Sequence, residues 1–96
     1  MIHLIIHLTV KEPSDVGRVG DLLSQAAQLS RAEPGCKRFE VYQSQNDPAH
    51  FFLCEHWESG AALDQHRLGQ AYTTIYKPQV LPLVDRQPYP STLISS

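Results

Sequence analysis

Residues 36–58 read CKRFEVYQSQNDPAHFFLCEHWE, and this stretch carries the clearest structural signal of the chain. Side chains alternate between two faces in residues 36–45 and again in residues 51–58, a period that is typical of β-strands. The link between them carries Asn46, Asp47 and Pro48, which are residues that favour turns. The stretch therefore predicts an antiparallel hairpin.

The sequence before the hairpin predicts a strand and a helix. Residues 2–10 alternate between two faces and include several β-branched side chains, so they predict a strand. Apolar residues three or four apart then predict a helix from Val16 to Ser30. This helix must end before the segment Glu33-Pro34-Gly35, because proline disfavours helical geometry in the residue that precedes it.

The sequence after the hairpin predicts a second helix and a further strand. Ser59 can cap a helix that runs from Gly60 to about Tyr76. Prolines at 78 and 82 restrict the next segment to short helical pieces. Residues 85–96 predict a short edge strand and then an extended arm.

The predicted order β-α-β-β-α-β is the ferredoxin-like α+β motif, a four-stranded antiparallel sheet with both helices on one face. We expect one domain over residues 1–96, with its core in about 2–84. The other sheet face should be polar if the protein is a monomer. Both faces of the predicted sheet carry large apolar residues. The less apolar face still carries His3, Ile5, His7, Phe52 and Cys54. A second subunit that covers this face would resolve the conflict.

Composition and motifs exclude several classes of function. The 96 residues include 8 basic and 10 acidic side chains, so no strong positive field attracts nucleic acid. The apolar N-terminus is too short to span a bilayer, and we expect a cytoplasmic protein with no membrane partner. The five glycines form neither a dinucleotide fingerprint nor a phosphate loop, so we expect no cofactor. His3 and His7 would lie ~13 Å apart on one strand, so they predict no metal site.

Three residues suggest a pocket under the sheet. Glu55 and Trp57 share one face of the second hairpin strand, and His66 lies on the inner stripe of the following helix. Histidine can take or give a proton near neutral pH, and tryptophan offers a flat wall for a ring-shaped ligand. The structural alternative is a hydrogen bond between Glu55 and His66 that pins the helix to the sheet.

Four segments together resemble the antibiotic biosynthesis monooxygenase family. The resemblance runs from the first strand to about Val84, and no single segment is diagnostic. It implies a ferredoxin-like protomer that pairs through its sheet into a dimeric α/β barrel. Characterised relatives include oxygenases of quinols and polycyclic phenols that need no metal or flavin. The segments are EPGCKRFEV at 33–41, DP at 47–48, EHWES at 55–59 and ALDQH at 62–66.

The resemblance transfers some functional residues and not others. Trp57 matches the pocket tryptophan of the family, and Glu55 and His66 match its commonest motif. Oxygenases of polycyclic substrates carry asparagine and tyrosine where this chain has Leu53 and Leu63, so that specific activity is disfavoured. Heme-degrading members carry a strand-one asparagine and a late-helix histidine. This chain has no asparagine in strand one and has tyrosine at about the late-helix position, which disfavours heme cleavage.

The first functional hypothesis is a cofactor-independent monooxygenase that oxidises a small quinol-like or phenolic compound with dioxygen. His66 would be the base and Glu55 its orienting partner, while Trp57 would be the packing wall of the pocket. Leu53 and Leu63 would line that pocket, and Tyr72 would reach it.

Two further hypotheses belong to other classes. An isomerase or lyase could act on a small phosphorylated carbonyl compound held by Arg38 or Arg67. A non-catalytic, ligand-binding dimer would instead be supported by a pocket too small for any ring.

Overall fold

The chain has the predicted element order, and the computed structural model describes all residues from 1 to 96. Short 3₁₀ turns, Pro13–Asp15 and Leu81–Leu83, precede the first helix and the last strand. The main elements are β1 (Ile2–Val10), α1 (Val16–Arg31), β2 (Cys36–Gln43), β3 (His50–Trp57), α2 (Gly60–Leu68), a π-helix (Ala71–Val80) and β4 (Val84–Ser91).

The four strands form one antiparallel sheet in the order β2-β3-β1-β4. This order and the placement of the helices on one face confirm the predicted ferredoxin-like α+β fold. The central strand β3 pairs with both β1 and β2, so that Glu55 lies between Leu4 and Phe39 on the covered face.

The covered face of the sheet packs against an apolar stripe of α1. Val19 and Leu23 of this stripe are almost completely buried, as are Leu8 and Leu53 of the sheet. Full burial of each such side chain contributes about 1.5–3 kcal/mol to stability. The apolar stripe predicted for the helix and the apolar strand face predicted for the sheet are therefore in contact in this layer.

The second helix differs from its prediction because it is interrupted at Gly69. Helix α2 ends at Leu68, and Gly69 has an extended backbone with ψ of 170°. The chain then continues as a π-helix that contains Pro78. Proline cannot donate the hydrogen bond of a regular helical turn, and wider π-turns occur where the regular ladder is broken. Gly69 therefore divides the predicted single helix into two segments.

The edge strand is longer than predicted. All eight residues of β4 pair with β1, from Val84 opposite Val10 to Ser91 opposite His3. Pro88 and Pro90 lie within this strand and are tolerated because β4 is at the sheet edge. Most of the segment 85–96, which was predicted as a short edge strand and an arm, is therefore part of the sheet.

The second face of the sheet carries exposed apolar side chains. Ile5, Tyr42, Phe52 and Tyr89 are 45%, 52%, 38% and 50% exposed. Strand pairing places all four on the same face, because Ile5 lies opposite Tyr89 and Phe52 lies opposite Tyr42. A contiguous apolar face of this kind is unusual on a monomer.

The histidines of this open face form pairs rather than a metal cluster. His3 contacts His56 with ring centroids 4.4 Å apart, and His7 contacts His50 with nitrogen atoms 2.6 Å apart. No group of three or more histidine, cysteine or carboxylate side chains is placed to hold a metal ion. Cys36 and Cys54 are both free thiols. None of the helices has the length and apolar character needed to span a bilayer.

Candidate active site

A small cavity lies between the covered face of the sheet and the helices. Its volume is about 20 Å³, which is room for roughly one water molecule. Most of its lining is hydrophobic. Five of the six predicted site residues line it, namely Leu53, Glu55, Leu63, His66 and Tyr72.

Trp57 was predicted to form a wall of the pocket, but it does not line the cavity. Its side chain is completely buried at the end of β3. The His66 ring covers it, with centroids 4.4 Å apart and planes inclined by 33°. Helix α2 follows β3 after a turn of two residues, so it brings His66 back over the indole face. Trp57 therefore supports the site from behind.

Glu55 is a buried carboxyl group whose hydrogen-bond partner differs from the predicted one. It is 3% exposed, and its Oε1 accepts a hydrogen bond from Trp57 Nε1 at 3.0 Å. Burial raises the pKa of Glu55, whereas the indole hydrogen bond and the nearby His66 lower it by smaller amounts. Neither the predicted orienting contact nor the structural alternative is present: Glu55 is hydrogen-bonded to Trp57, and His66 is hydrogen-bonded to Glu33.

His66 pairs with Glu33, a residue that the sequence pattern indicated only as a helix end. The distance from His66 Nδ1 to Glu33 Oε1 is 2.6 Å. The His66 side chain is 7% exposed and that of Glu33 is 19% exposed, so the pair is shielded from most solvent. A carboxylate can only accept, so Nδ1 donates this hydrogen bond.

The Glu-Pro-Gly segment explains how Glu33 reaches α2. Gly35 has a φ of +81°, a conformation that glycine adopts without a steric penalty. A Cβ at Gly35 would lie 2.5 Å from the Cβ of Ala62. The loop therefore packs directly against α2, one turn before His66. An acidic residue beside a Pro-Gly turn was the signal that could have indicated Glu33.

Two tyrosines of the π-helix and an arginine of β4 complete the cavity wall. Tyr72 is half-buried, and its ring meets the His66 ring edge-on at 5.8 Å. Tyr76 is buried, and its Oη accepts a hydrogen bond from Arg86 Nε at 3.1 Å. Burial raises the pKa of Tyr76 to about 12. Arg86 lies in the segment 85–96, predicted as a short edge strand and an arm, and no pattern in that segment indicated that its side chain reaches the cavity.

The two arginines considered as phosphate ligands lie in different places. Arg38 is on the open sheet face, where its Nε donates to Glu40 Oε1 at 2.8 Å. It cannot contact a ligand in the cavity. Arg67 lines the cavity and is paired only loosely with Asp64, at 3.8 Å.

The arrangement is suited to proton transfer in an apolar environment. One imidazole, one buried carboxyl and two phenols face a cavity with mostly hydrophobic walls. His66 supplies an imidazole that can accept or donate a proton, and Glu55 supplies a carboxyl whose neutral form is favoured because burial raises its pKa.

Comparison with known families gives a match over most of the chain. The family model described as antibiotic biosynthesis monooxygenase matches residues 1–77. A crystal structure of an antibiotic biosynthesis monooxygenase is 25% identical, has a TM-score of 0.89, and covers 99% of this chain and 100% of its own. A search of curated proteins finds no significant match.

Two further solved structures are similar. Rv0793 from Mycobacterium tuberculosis is 26% identical with a TM-score of 0.81, and the alignment covers 100% of both chains. A variant of SnoaB, a cofactor-independent oxygenase from Streptomyces nogalater, has a TM-score of 0.84 over 99% of this chain and 94% of its own. Its identity is 10%, so this similarity concerns the fold alone.

Proposed function

Because this chain belongs to the antibiotic biosynthesis monooxygenase family, we propose that it is a cofactor-independent monooxygenase of a small quinol-like or phenolic compound. The observation that carries the proposal is the environment of His66. This imidazole is almost completely buried, is hydrogen-bonded to a carboxylate through one nitrogen, and lines an apolar cavity. A histidine held in this way can remove the proton of a phenolic hydroxyl group.

Removal of that proton is the step that makes the substrate reactive toward dioxygen. The substrate hydroxyl gives its proton to His66, and the resulting phenolate transfers one electron to dioxygen. The two radicals combine at a ring carbon, and the peroxide so formed recovers the proton from His66. Loss of water breaks the O–O bond and leaves a carbonyl group on that carbon. One oxygen atom enters the product, and all four electrons come from the substrate.

The other residues hold the substrate and its charge. Leu53 and Leu63 supply apolar walls that exclude water, which strengthens electrostatic interactions in the site. Glu55 in its neutral form donates a hydrogen bond to a substrate oxygen, and burial favours that form. Trp57 holds both Glu55 and His66 in place through its hydrogen bond and its ring contact.

Substrate entry requires the cavity to enlarge. A volume of about 20 Å³ does not hold an aromatic ring. Tyr72 is the half-buried aromatic side chain of the lining, and it lies on the π-helix that follows the break at Gly69. We assign substrate admission to movement of this side chain.

We propose that the working unit is a homodimer that forms through the open sheet face. The support is the exposure of Ile5, Phe52 and Tyr89 on one contiguous face. A second copy that covers these side chains would remove them from water, which favours association.

Arg67 favours a second candidate function. Arg67 is one of the residues that line the cavity, as is His66, so its guanidinium group could hold the phosphate of a small phosphorylated carbonyl compound while His66 moves a proton. The third candidate, a non-catalytic ligand-binding dimer, is favoured by the small volume of the cavity.

Oxygen consumption with menadiol tests the proposal. We expect the wild-type protein to consume oxygen above the rate of menadiol alone, and His66→Ala to lose about 100-fold or more of that catalysed rate. Gln65→Ala is the control, because Gln65 is exposed on the same helix. Incorporation of one ¹⁸O atom per product molecule would identify a monooxygenase. Equal catalysed rates in wild type and His66→Ala would contradict the proposal.

A further inference from the structure

Glu33 holds a defined position beside His66. Its backbone is fixed on both sides, because its N–H donates to the carbonyl of Ser30 at 3.0 Å and its carbonyl accepts from the N–H of Cys36 at 3.2 Å. Its carboxylate accepts from His66 Nδ1 at 2.6 Å. The carboxylate therefore approaches His66 from a backbone that has little freedom.

Gly69 makes room for the same carboxylate. A Cβ at Gly69 would lie 2.5 Å from Glu33 Oε2, so the end of the Glu33 side chain would have to shift from its present position. The break between α2 and the π-helix thus occurs where the second oxygen of Glu33 needs space. The position of the Glu33 carboxylate therefore depends on the absence of a side chain at residue 69.

His66 separates the inner cavity from a depression on the protein surface. His66 lines both spaces, whereas Glu33 lines only the surface depression. The Nδ1 edge of the ring is occupied by Glu33, so Nε2 is the nitrogen left for a ligand in the inner cavity. A carboxylate that accepts from Nδ1 requires a proton on Nδ1, and in the neutral imidazole the lone pair is then on Nε2.

We propose that Glu33 is a positioning residue that holds His66 in the Nδ1–H tautomer, so that Nε2 serves as the base toward the substrate. This inference rests on the proposed function for its catalytic consequence, but the tautomer itself is a property of the free protein. The charged and titratable groups nearest His66 are Glu33 from the loop, Glu55 from β3, Tyr72 from the π-helix and Arg67 from α2 itself. Tyr76 and Arg86 line the same cavity.

Long-range ¹H–¹⁵N correlation spectra of the full ¹⁵N-labelled chain test the tautomer directly. We expect neutral His66 in the wild type to carry its proton on Nδ1. In Glu33→Ala the preference should reverse toward the Nε2–H form, which a free imidazole favours. The matched control is Glu58→Ala, because Glu58 lines the same depression and makes no side-chain hydrogen bond to His66.

A second variant keeps both partners of the pair and moves only the carboxylate. Gly69→Ala should displace Glu33 Oε2 and produce the same change of tautomer. Gly60→Ala is its control, because a Cβ at the start of α2 meets nothing within 4 Å. A folded Gly69→Ala protein whose His66 keeps the proton on Nδ1 would overturn the inference, as would an unchanged tautomer in Glu33→Ala.

Kinetics with menadiol separate this inference from the proposed function. We expect kcat to fall by roughly 10- to 100-fold in Glu33→Ala while KM stays unchanged, as for residues that orient a reacting group. If the wild type consumes no oxygen but the tautomer depends on Glu33, the proposed function fails and the positioning role stands. If the wild type is active and the tautomer of His66 is unchanged in Glu33→Ala, only the positioning role fails.

Discussion

Replacement of Gly35 by alanine tests how the loop holds Glu33 against α2. The φ of +81° at this residue costs an alanine about 1–2 kcal/mol. The new Cβ would also lie 2.5 Å from the Cβ of Ala62, and overpacking of this kind costs about 1–3 kcal/mol. We therefore expect the free energy of unfolding to fall by about 2–5 kcal/mol in Gly35→Ala.

A double-mutant cycle separates the two contributions. Ala62→Gly alone should cost up to about 1 kcal/mol, because glycine is unfavourable in a helix. Combined with Gly35→Ala it removes the close contact but leaves the backbone strain, so we expect a favourable coupling of about 1–3 kcal/mol. Gly17→Ala is the control, because a Cβ there meets nothing within 4 Å inside α1.

Urea unfolding followed by circular dichroism measures these differences. All variants are compared at one protein concentration, since association would shift the apparent stability. Gly17→Ala should raise the urea midpoint or leave it unchanged. A Gly35→Ala midpoint equal to that of the wild type, or a coupling near zero with Ala62→Gly, would refute the argument that this contact is rigid.

Three further predictions concern the site and the open face. Burial raises the pKa of Glu55, so its contribution to stability is present at low pH and is lost as pH rises through the folded-state pKa. Urea midpoints measured between about pH 4 and pH 8 should thus fall less in Glu55→Gln than in the wild type, and parallel profiles would contradict this. Tyr72→Ala should enlarge the cavity and tighten binding of 1-naphthol severalfold in calorimetry; unchanged affinity would show that Tyr72 does not limit entry. Phe52→Glu should convert a dimeric wild type to a monomer in sedimentation velocity, and a dimer that persists would exclude the open face as the interface.

Much of the fold was predictable because its signals are local. The turn residues 46–48 and the alternation on either side predict the hairpin, and the structure confirms it as β2 and β3. The length of β4 was not predictable in the same way. Two prolines argue against a strand in isolation, and only the edge position beside β1 makes them acceptable.

Local periodicity in the sequence is enough to say which residues approach the site from the covered face. Period-two alternation directs Leu53, Glu55 and Trp57 to one side of β3, and the helical period directs Leu63 and His66 toward them. The direction of each side chain follows from backbone geometry, which repeats every two residues in a strand and about every 3.6 residues in a helix, independently of the tertiary structure.

The choice of bonding partners among these groups depends on how separate elements pack. Glu33 and His66 are 33 positions apart, and they meet because the Pro-Gly turn packs on α2 and Gly69 leaves space for the carboxylate. Glu55 accepts a hydrogen bond from Trp57 instead, and the indole lies outside the cavity lining. Hydrogen-bond partners depend on distances of a few tenths of an ångström between separate elements, and no periodic pattern in a sequence encodes such distances.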